Sequence, residues 1–326
     1  MTHKCIAIAS FDKDFVNPAK VFIHTFKYNH PDIPINMYIL DDYIPDQDML
    51  NLYPDVTFKH IKNDRVKQFL TENKNEMNIT SFSDNMYDSS KLICMFSYLE
   101  AIDELIAENK YDIIIKSDLD VIWIDSIYEE LNNFVESNLP IAMSREGVNR
   151  IHHAANDKLL HYPHLANGGY FCAGVTLYNT HVLTNGVLDT IFNTMKSYGI
   201  NKFVYLDQDS LVLSYKNKFV LNGVYNHTSM PTPKGKDVYV IHYNVYAKPF
   251  GKVSKQTVGC LPISRTYKLY NQIAEAINCD TKFITLLKNN LQKLSELTKP
   301  YDSATPVLQI LNIKLTNMLK GLNHRE

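Results

Sequence analysis

The sequence predicts an α/β fold: a mostly parallel sheet flanked by helices, with a helical tail behind it. Three observations carry this. Apolar runs of strand length recur at residues 5–9, 35–40 and 111–115. Helical patterns separate them, clearest from Ser89 to Asn109. After residue 260 the strand-like runs stop and helical stripes take over. Strand, helix and strand in alternation imply parallel pairing with helices over the faces.

The elements follow in order. Cys5-Ile6-Ala7-Ile8-Ala9 is apolar on both faces, as a buried parallel strand requires. Polar Ser10 to Asp14 leads into a helix through Val21, Phe22 and Phe26. Ile35 to Leu40 is the second strand, closed by Asp41-Asp42, and Val56 to Ile61 the third. The long helix from Ser89 puts Leu92, Met95, Phe96, Leu99, Ile102, Leu105 and Ile106 on one face. Tyr111 to Ile115 then reads as a central strand. In the tail, Lys282 to Leu297 forms one stripe and Pro306 to Lys320 a second, with Pro near its start and Gly321 just past its end. The division expected is a catalytic unit over 1–260 and a basic, amphipathic helical region over 261–326.

Composition narrows the function. A net charge of -2 gives no footprint for a nucleic-acid binder. The segment from Thr281 onward nevertheless carries seven Lys/Arg against three acids, so the tail is +4 and the rest -6. The five cysteines are scattered, without framework spacing, and read as reduced thiols. There is no signal-peptide pattern and no apolar run near the ~20 residues of a bilayer span. A cytoplasmic protein is expected. Its tail has two compatible readings: helices packed on the domain, and a cationic segment resting peripherally on anionic lipid at the inner membrane face.

Asp-x-Asp occurs four times, at Asp12/Asp14, Asp46/Asp48, Asp118/Asp120 and Asp207/Asp209. Only Asp118/Asp120 lies between apolar strands, Ile113-Ile114-Ile115 before it and Val121-Ile122-Trp123-Ile124 after. Unpaired carboxylates there would be costly, so a ligand is expected on them. Two carboxylates at i and i+2 can meet one hard cation, and such a cation suits a diphosphate leaving group. The carboxyl end of a central strand is where open α/β sheets bind ligands.

Several motifs then coincide. Lys91 opens the long helix that leads to Lys116-Ser117-Asp118-Leu119-Asp120. Tyr170-Phe171-Cys172-Ala173-Gly174 and Leu206-Asp207-Gln208-Asp209 follow, then His242 with five residues before Lys248-Pro249-Phe250. Their order and spacing resemble the retaining glycosyltransferases of family eight, which include glycogenin and bacterial lipooligosaccharide galactosyl- and glucosyltransferases. The resemblance covers roughly residues 5 to 250. It implies a GT-A-type, Rossmann-like sheet. It further implies that Asp118, Asp120 and His242 ligate a metal, and an imidazole beside carboxylates suits Mn²⁺ better than Mg²⁺. Lys248 would meet the diphosphate. Ala9, Asp12 and Phe15 would form the uridine pocket. Lys91, Ser117, Cys172 and Ala173 would line the nucleotide-sugar, and Asp207 and Gln208 would stand at the reacting sugar. The donor would be a UDP-sugar, and the acceptor a surface glycan, oligosaccharide or glycolipid.

This chain departs from the family pattern in three places: Cys172 stands where Asn is common, Val245 where Gly is, and Phe250 where Trp is. Other readings bear on the same residues. A sugar-nucleotide pyrophosphorylase would need a Gly-rich loop after the first strand, and Ser10 to Val16 contains no glycine. A catalytically silent nucleotide- or glycan-binding module would not need Asp118, Asp120, His242 and Lys248 together. The histidines at 152, 153, 161 and 164 match no standard zinc spacing and read as a polar loop.

Overall fold

The computed structural model describes residues 3–76, 89–145, 170–183, 186–200, 203, 206–226, 238–243, 248–253 and 263–298. The His152–His164 cluster, Val245 and the 306–320 stripe lie outside them.

Seven strands form the main sheet: β1 (Cys5–Phe11), β2 (Ile35–Ile39), β3 (Val56–His60), β4 (Ile113–Ser117), β6 (Ile141–Arg145), β7 (Phe171–Asn179) and β8 (Phe219–Val220), in the order β3-β2-β1-β4-β7-β6-β8. A second sheet has the order β5-β10-β9, from β5 (Val121–Trp123), β9 (Val224–Asn226) and β10 (Val240–His242). The pairs β1–β2, β2–β3 and β1–β4 are parallel. β7 runs antiparallel to both β4 and β6. After β1 the chain builds outward through β2 and β3, then returns to place β4 on the other side of β1. The carboxyl ends of β1 and β4 therefore flank a topological switch point, the crevice where such sheets take ligands.

Helices α1 (Val16–Asn29), α2 (Gln47–Leu52), α3 (Asp64–Glu72), α4 (Ser89–Glu108), α5 (Tyr128–Glu136), α6 (Val187–Tyr198) and α7 (Leu206–Ser214) cover the sheets. One core joins α4, α6 and α7 to one face of the main sheet through Phe96, Leu99, Ile102, Ile191 and Leu211. A second joins α1 to the other face through Ala7, Phe22, Phe26, Ile115 and Trp123. Strand β1 is buried on both faces because it serves both.

Two C-terminal helices follow, α8 (Ile263–Ala276) and α9 (Thr281–Thr298). Leu287 and Leu294 of α9 are buried with Tyr267, Tyr270 and Ile273 of α8, Val21 of α1 and Ile122 and Ile241 of the second sheet. Most of the apolar stripe of α9 thus faces the domain, while Leu286 is 41% exposed. No described helix is long and apolar enough to cross a membrane.

Strand boundaries differ from the sequence reading: β1 runs on through Ser10 and Phe11, β2 and β3 each end one residue earlier, and β4 is shifted. Strand β4 begins at Ile113 and runs on through Lys116 and Ser117, with Tyr111 left out. Pairing decides it: Lys116 is matched to Ile8 on β1 and Thr176 on β7, and Ser117 to Val175. A lysine in mid-sheet reads as a strand end until its partners are seen.

Candidate metal and nucleotide-sugar site

The site is built where β4 ends. Asp118 leaves β4, Asp120 precedes β5, and β5 pairs antiparallel with β10, which sets His242 opposite Val121. Two chain segments so converge, the β4–β5 connection and β10. One carboxylate or imidazole atom from each of Asp118, Asp120 and His242 lies within 4.8 Å of the others. That is close to the span of two ligands on one cation at about 2.2 Å each. His242 Nε2 stands 3.7 Å from Asp118 Oδ2 and 3.3 Å from Asp120 Oδ1. Asp120 Oδ1 is buried and has the His242 imidazole as its neighbour at 3.3 Å. A buried carboxylate facing an imidazole nitrogen offers a cation two ligand atoms at once. The donor set of two carboxylates and one imidazole nitrogen fits a divalent ion of the Mn²⁺ type.

Strand β7 shapes the floor. Its pairing with β6 jumps from Met143↔Thr176 to Ser144↔Cys172, so residues 173–175 bulge out of that ladder. Bulges re-aim groups beside active sites. Here the bulge points the Gly174 carbonyl at Asp118, whose N–H donates to it at 2.7 Å. It also leaves no room above Gly174. A Cβ there would lie 2.2 Å from His242 Cε1 and 2.5 Å from its Nδ1. The glycine is what lets the imidazole reach the carboxylates.

The electrostatics are those of a buried polar cluster. Burial opposes charge on Asp120, but Lys248 and then His242 outweigh it and hold the carboxyl well below the usual range. Lys248 Nζ is 2.9 Å from Asp120 Oδ2. Burial also opposes charge on His242, while Cys172 and Asp120 draw its pKa well above the ordinary imidazole value. Binding a cation on Nε2 must therefore displace a proton. Cys172 Sγ lies 3.4 Å from Nδ1, on the side away from the carboxylates. A group in that place fixes ring orientation and tautomer.

The predicted sugar-facing residues sit at the start of α7. Gln208 accepts from the Ala173 N–H at 3.2 Å and donates to the Tyr170 hydroxyl at 2.8 Å, and that hydroxyl donates to buried Asp209 at 2.7 Å. Asp207 has its pKa raised to about 6, first by burial, then through Asp118, against the pull of Lys116. On the nucleotide side, Asp12 caps the turn after β1 by accepting from Asp14 N–H. Phe15 packs edge-on against Phe250, with ring centroids 5.9 Å apart. That contact joins the loop after β1 to the Lys248 loop, whose main-chain carbonyl accepts from Tyr267 at 2.9 Å. The Ala9 side chain is buried in the core, and the buried Ser117 hydroxyl donates to the Asp118 carbonyl. Lys91 lies in the first turn of α4, but its side chain is outside the described set.

Three residues here escaped the sequence reading. Lys116 is buried, its ammonium 2.5 Å from Asp118 Oδ1 and 2.9 Å from the Ala173 carbonyl, over the Tyr98 ring at 4.6 Å. Burial opposes its charge, yet Asp118 and Asp207 keep its pKa above the ordinary lysine value. Tyr170 and Gly174 were quoted only as parts of a motif. A lysine two residues before a carboxylate pair was the available signal for Lys116.

Comparison with known proteins agrees with this architecture. The model of the family described as "Glycosyl transferase family 8" matches residues 5–253. Among solved structures, the galactosyltransferase LgtC, in complex with donor and acceptor sugar analogues, superposes with a TM-score of 0.58 at 18% identity. That match covers 83% of this chain and 95% of LgtC. The glycosyltransferase GlyE of Streptococcus pneumoniae TIGR4 gives 0.53 at 12% identity, covering 89% of this chain and 64% of GlyE. No curated protein matches by sequence. The structural likenesses establish the fold, and the sequence match over most of the chain establishes kinship. The chain belongs to glycosyl transferase family 8.

Proposed function

We propose that this protein is a retaining glycosyltransferase that moves a hexose from a UDP-sugar to a surface glycan or lipid-linked oligosaccharide, with Mn²⁺ on the diphosphate. The observation that carries the reading is the convergence of Asp118, Asp120 and His242 from two distant chain segments at the switch point of the sheet. The catalytic unit is residues 1–260, with 261–326 as its helical C-terminal region.

A bound divalent cation would neutralise the charge that builds on the departing diphosphate. Asp118, Asp120 and His242 hold it. Lys248, a third exposed at its side chain, lies at the rim and can turn from Asp120 to a phosphate oxygen. Phe15 offers the uracil an aromatic face and Asp12 a polar contact. Cys172, Ala173, Asp207 and Gln208 surround the hexose, with Gln208 fixed by Tyr170 and Ala173 so that its position is set before substrate arrives. The bond from the anomeric carbon to the phosphate oxygen breaks. A bond to the acceptor oxygen forms on the same face, and the acceptor proton leaves on the phosphate. The products are UDP and a glycoside of unchanged configuration. Cys172 presents this pocket with a smaller and less polar side chain than Asn would, a difference that bears on which hexose is taken.

A panel of UDP-hexoses with and without Mn²⁺, supplied with glycolipid and oligosaccharide acceptors, tests the reading through UDP release. Mn²⁺-dependent release from one or two donors and an α product from an α donor are expected. A β product from an α donor would remove retention.

A further inference from the structure

The two carboxylates of the candidate metal site are each held by an ammonium, and the two ammoniums differ. Lys248, on Asp120, has 35% of its side chain exposed and is free to swing toward a ligand. Lys116, on Asp118, has 6% exposed. It is also tied to the Ala173 carbonyl at 2.9 Å and lies over the Tyr98 ring. Among the described residues these three contacts hold it in place, so it is a fixed positive charge inside the site.

Asp118 divides its oxygens accordingly. Oδ1 is taken by Lys116, and Oδ2 is the one that faces His242 Nε2 at 3.7 Å. Asp118 can thus give a cation one oxygen, and that cation would sit within a few ångströms of a fixed ammonium. Like charges a few ångströms apart repel, most strongly on the buried side of the site where Lys116 lies. A cation arriving alone meets that repulsion at carboxylates already paired with lysines. One arriving with a diphosphate brings two negative charges that cancel its own, so Lys116 faces a neutral pair and not a bare dication.

We propose that Lys116 is a positioning residue that denies the metal site to a lone divalent cation and so couples metal binding to nucleotide binding. The inference rests on the proposed function for the identity of the nucleotide, but its test separates from that reading. Coupling of this kind is reciprocal: whatever factor UDP adds to Mn²⁺ affinity, Mn²⁺ adds to UDP affinity. Its source here is electrostatic, so removing the charge at Lys116 weakens the coupling by strengthening the uncoupled state.

The experiment is Mn²⁺ titration of the full chain, followed by the electron paramagnetic resonance signal of free Mn²⁺, without and with saturating UDP. In the wild-type protein UDP should tighten Mn²⁺ at least tenfold. In Lys116→Met, nucleotide-free Mn²⁺ affinity should rise at least tenfold, about 1.4 kcal/mol, while affinity with UDP changes less than threefold. Lys116→Arg keeps the cation and should restore wild-type coupling, which a loss of packing alone would not predict. Wild-type Mn²⁺ affinity that UDP changes less than tenfold would overturn the proposal without recourse to any variant. UDP-dependent binding left unchanged by Lys116→Met would overturn it while leaving the proposed function standing. Absence of Mn²⁺ binding to the wild-type protein in both conditions would overturn both together.

Discussion

Replacing Gly174 with alanine should remove the metal site while leaving the fold in place. Gly174 sits in extended backbone that any residue can adopt, so the objection to a side chain there is one of space alone. The added Cβ would stand 2.2 Å from His242 Cε1, where real contacts essentially never fall below 3.0 Å. The ring must retreat by much of an ångström. It cannot retreat freely, because His242 is buried, its strand is registered against β5, and Cys172 lies on its other side. Metal sites tolerate ligand displacements of about 0.2 Å. The variant should therefore lose one of three protein ligands. Mn²⁺ affinity in the presence of UDP should fall on the order of tenfold to a hundredfold, as when the support of a metal ligand is removed. Turnover should fall at least as far, and overpacking should cost roughly 1–3 kcal/mol of stability. The assays are Mn²⁺ titration, kcat/KM for UDP release, and thermal unfolding. A folded Gly174→Ala protein within threefold of wild type in both affinity and turnover would refute the steric account of the site.

Three further outcomes follow from the same geometry. kcat/KM should fall on the acid side with an apparent pKa above the usual aspartate range, toward 6, as Asp207 takes up a proton. Asp207→Asn should remove that limb yet still bind Mn²⁺, and an unchanged profile would exclude Asp207 as its source. Cys172→Asn should reorder the relative kcat/KM values of UDP-hexoses by tenfold or more, measured on the same donor panel. An unchanged order would move donor choice elsewhere. His30, remote from the site, has its Nδ1 3.1 Å from the Phe26 carbonyl and accepts from Ile127 N–H at 3.0 Å, and burial lowers its pKa from 6.5 to about 4. The neutral ring stabilises the fold above pH 6.5, and this contribution, roughly 3 kcal/mol, is lost as pH falls toward 4. An NMR titration should find His30 neutral at pH 5, and a midpoint near 6.5 would contradict its placement.

The parts legible in the sequence are those governed by short-range pattern. β1, β2 and β3 announced themselves as apolar runs, and α4 and α9 as apolar stripes, because burial of one face is written at fixed spacing. Asp118 and Asp120 stood out because acids between apolar strands need a reason. Features set by distant pairing were not legible. Lys116 looked like a strand end, since its partners are a carbonyl on β7 and a ring on α4. The role of Gly174 depends on a bulge in the β6–β7 ladder and on an imidazole that arrives from residue 242. Helix α8 went unread because its buried face, Tyr267, Leu269, Tyr270, Ile273 and Ala274, is set among polar residues and carries two tyrosines in place of a leucine stripe. The tail showed the ambiguity of amphipathicity. The stripe of α9 suits lipid or protein equally by pattern, and the structure packs its Leu287 and Leu294 against the domain.

The most direct test of the central claim compares wild type with Asp120→Ala on the donor that gives the highest UDP release, with Mn²⁺ and after its removal by a chelator. The site described here requires wild-type release that depends on the metal. It also requires at least a hundredfold loss in Asp120→Ala, because that variant removes the buried carboxylate shared by His242 and Lys248. UDP release from no donor, or an Asp120→Ala protein with full activity, would contradict it.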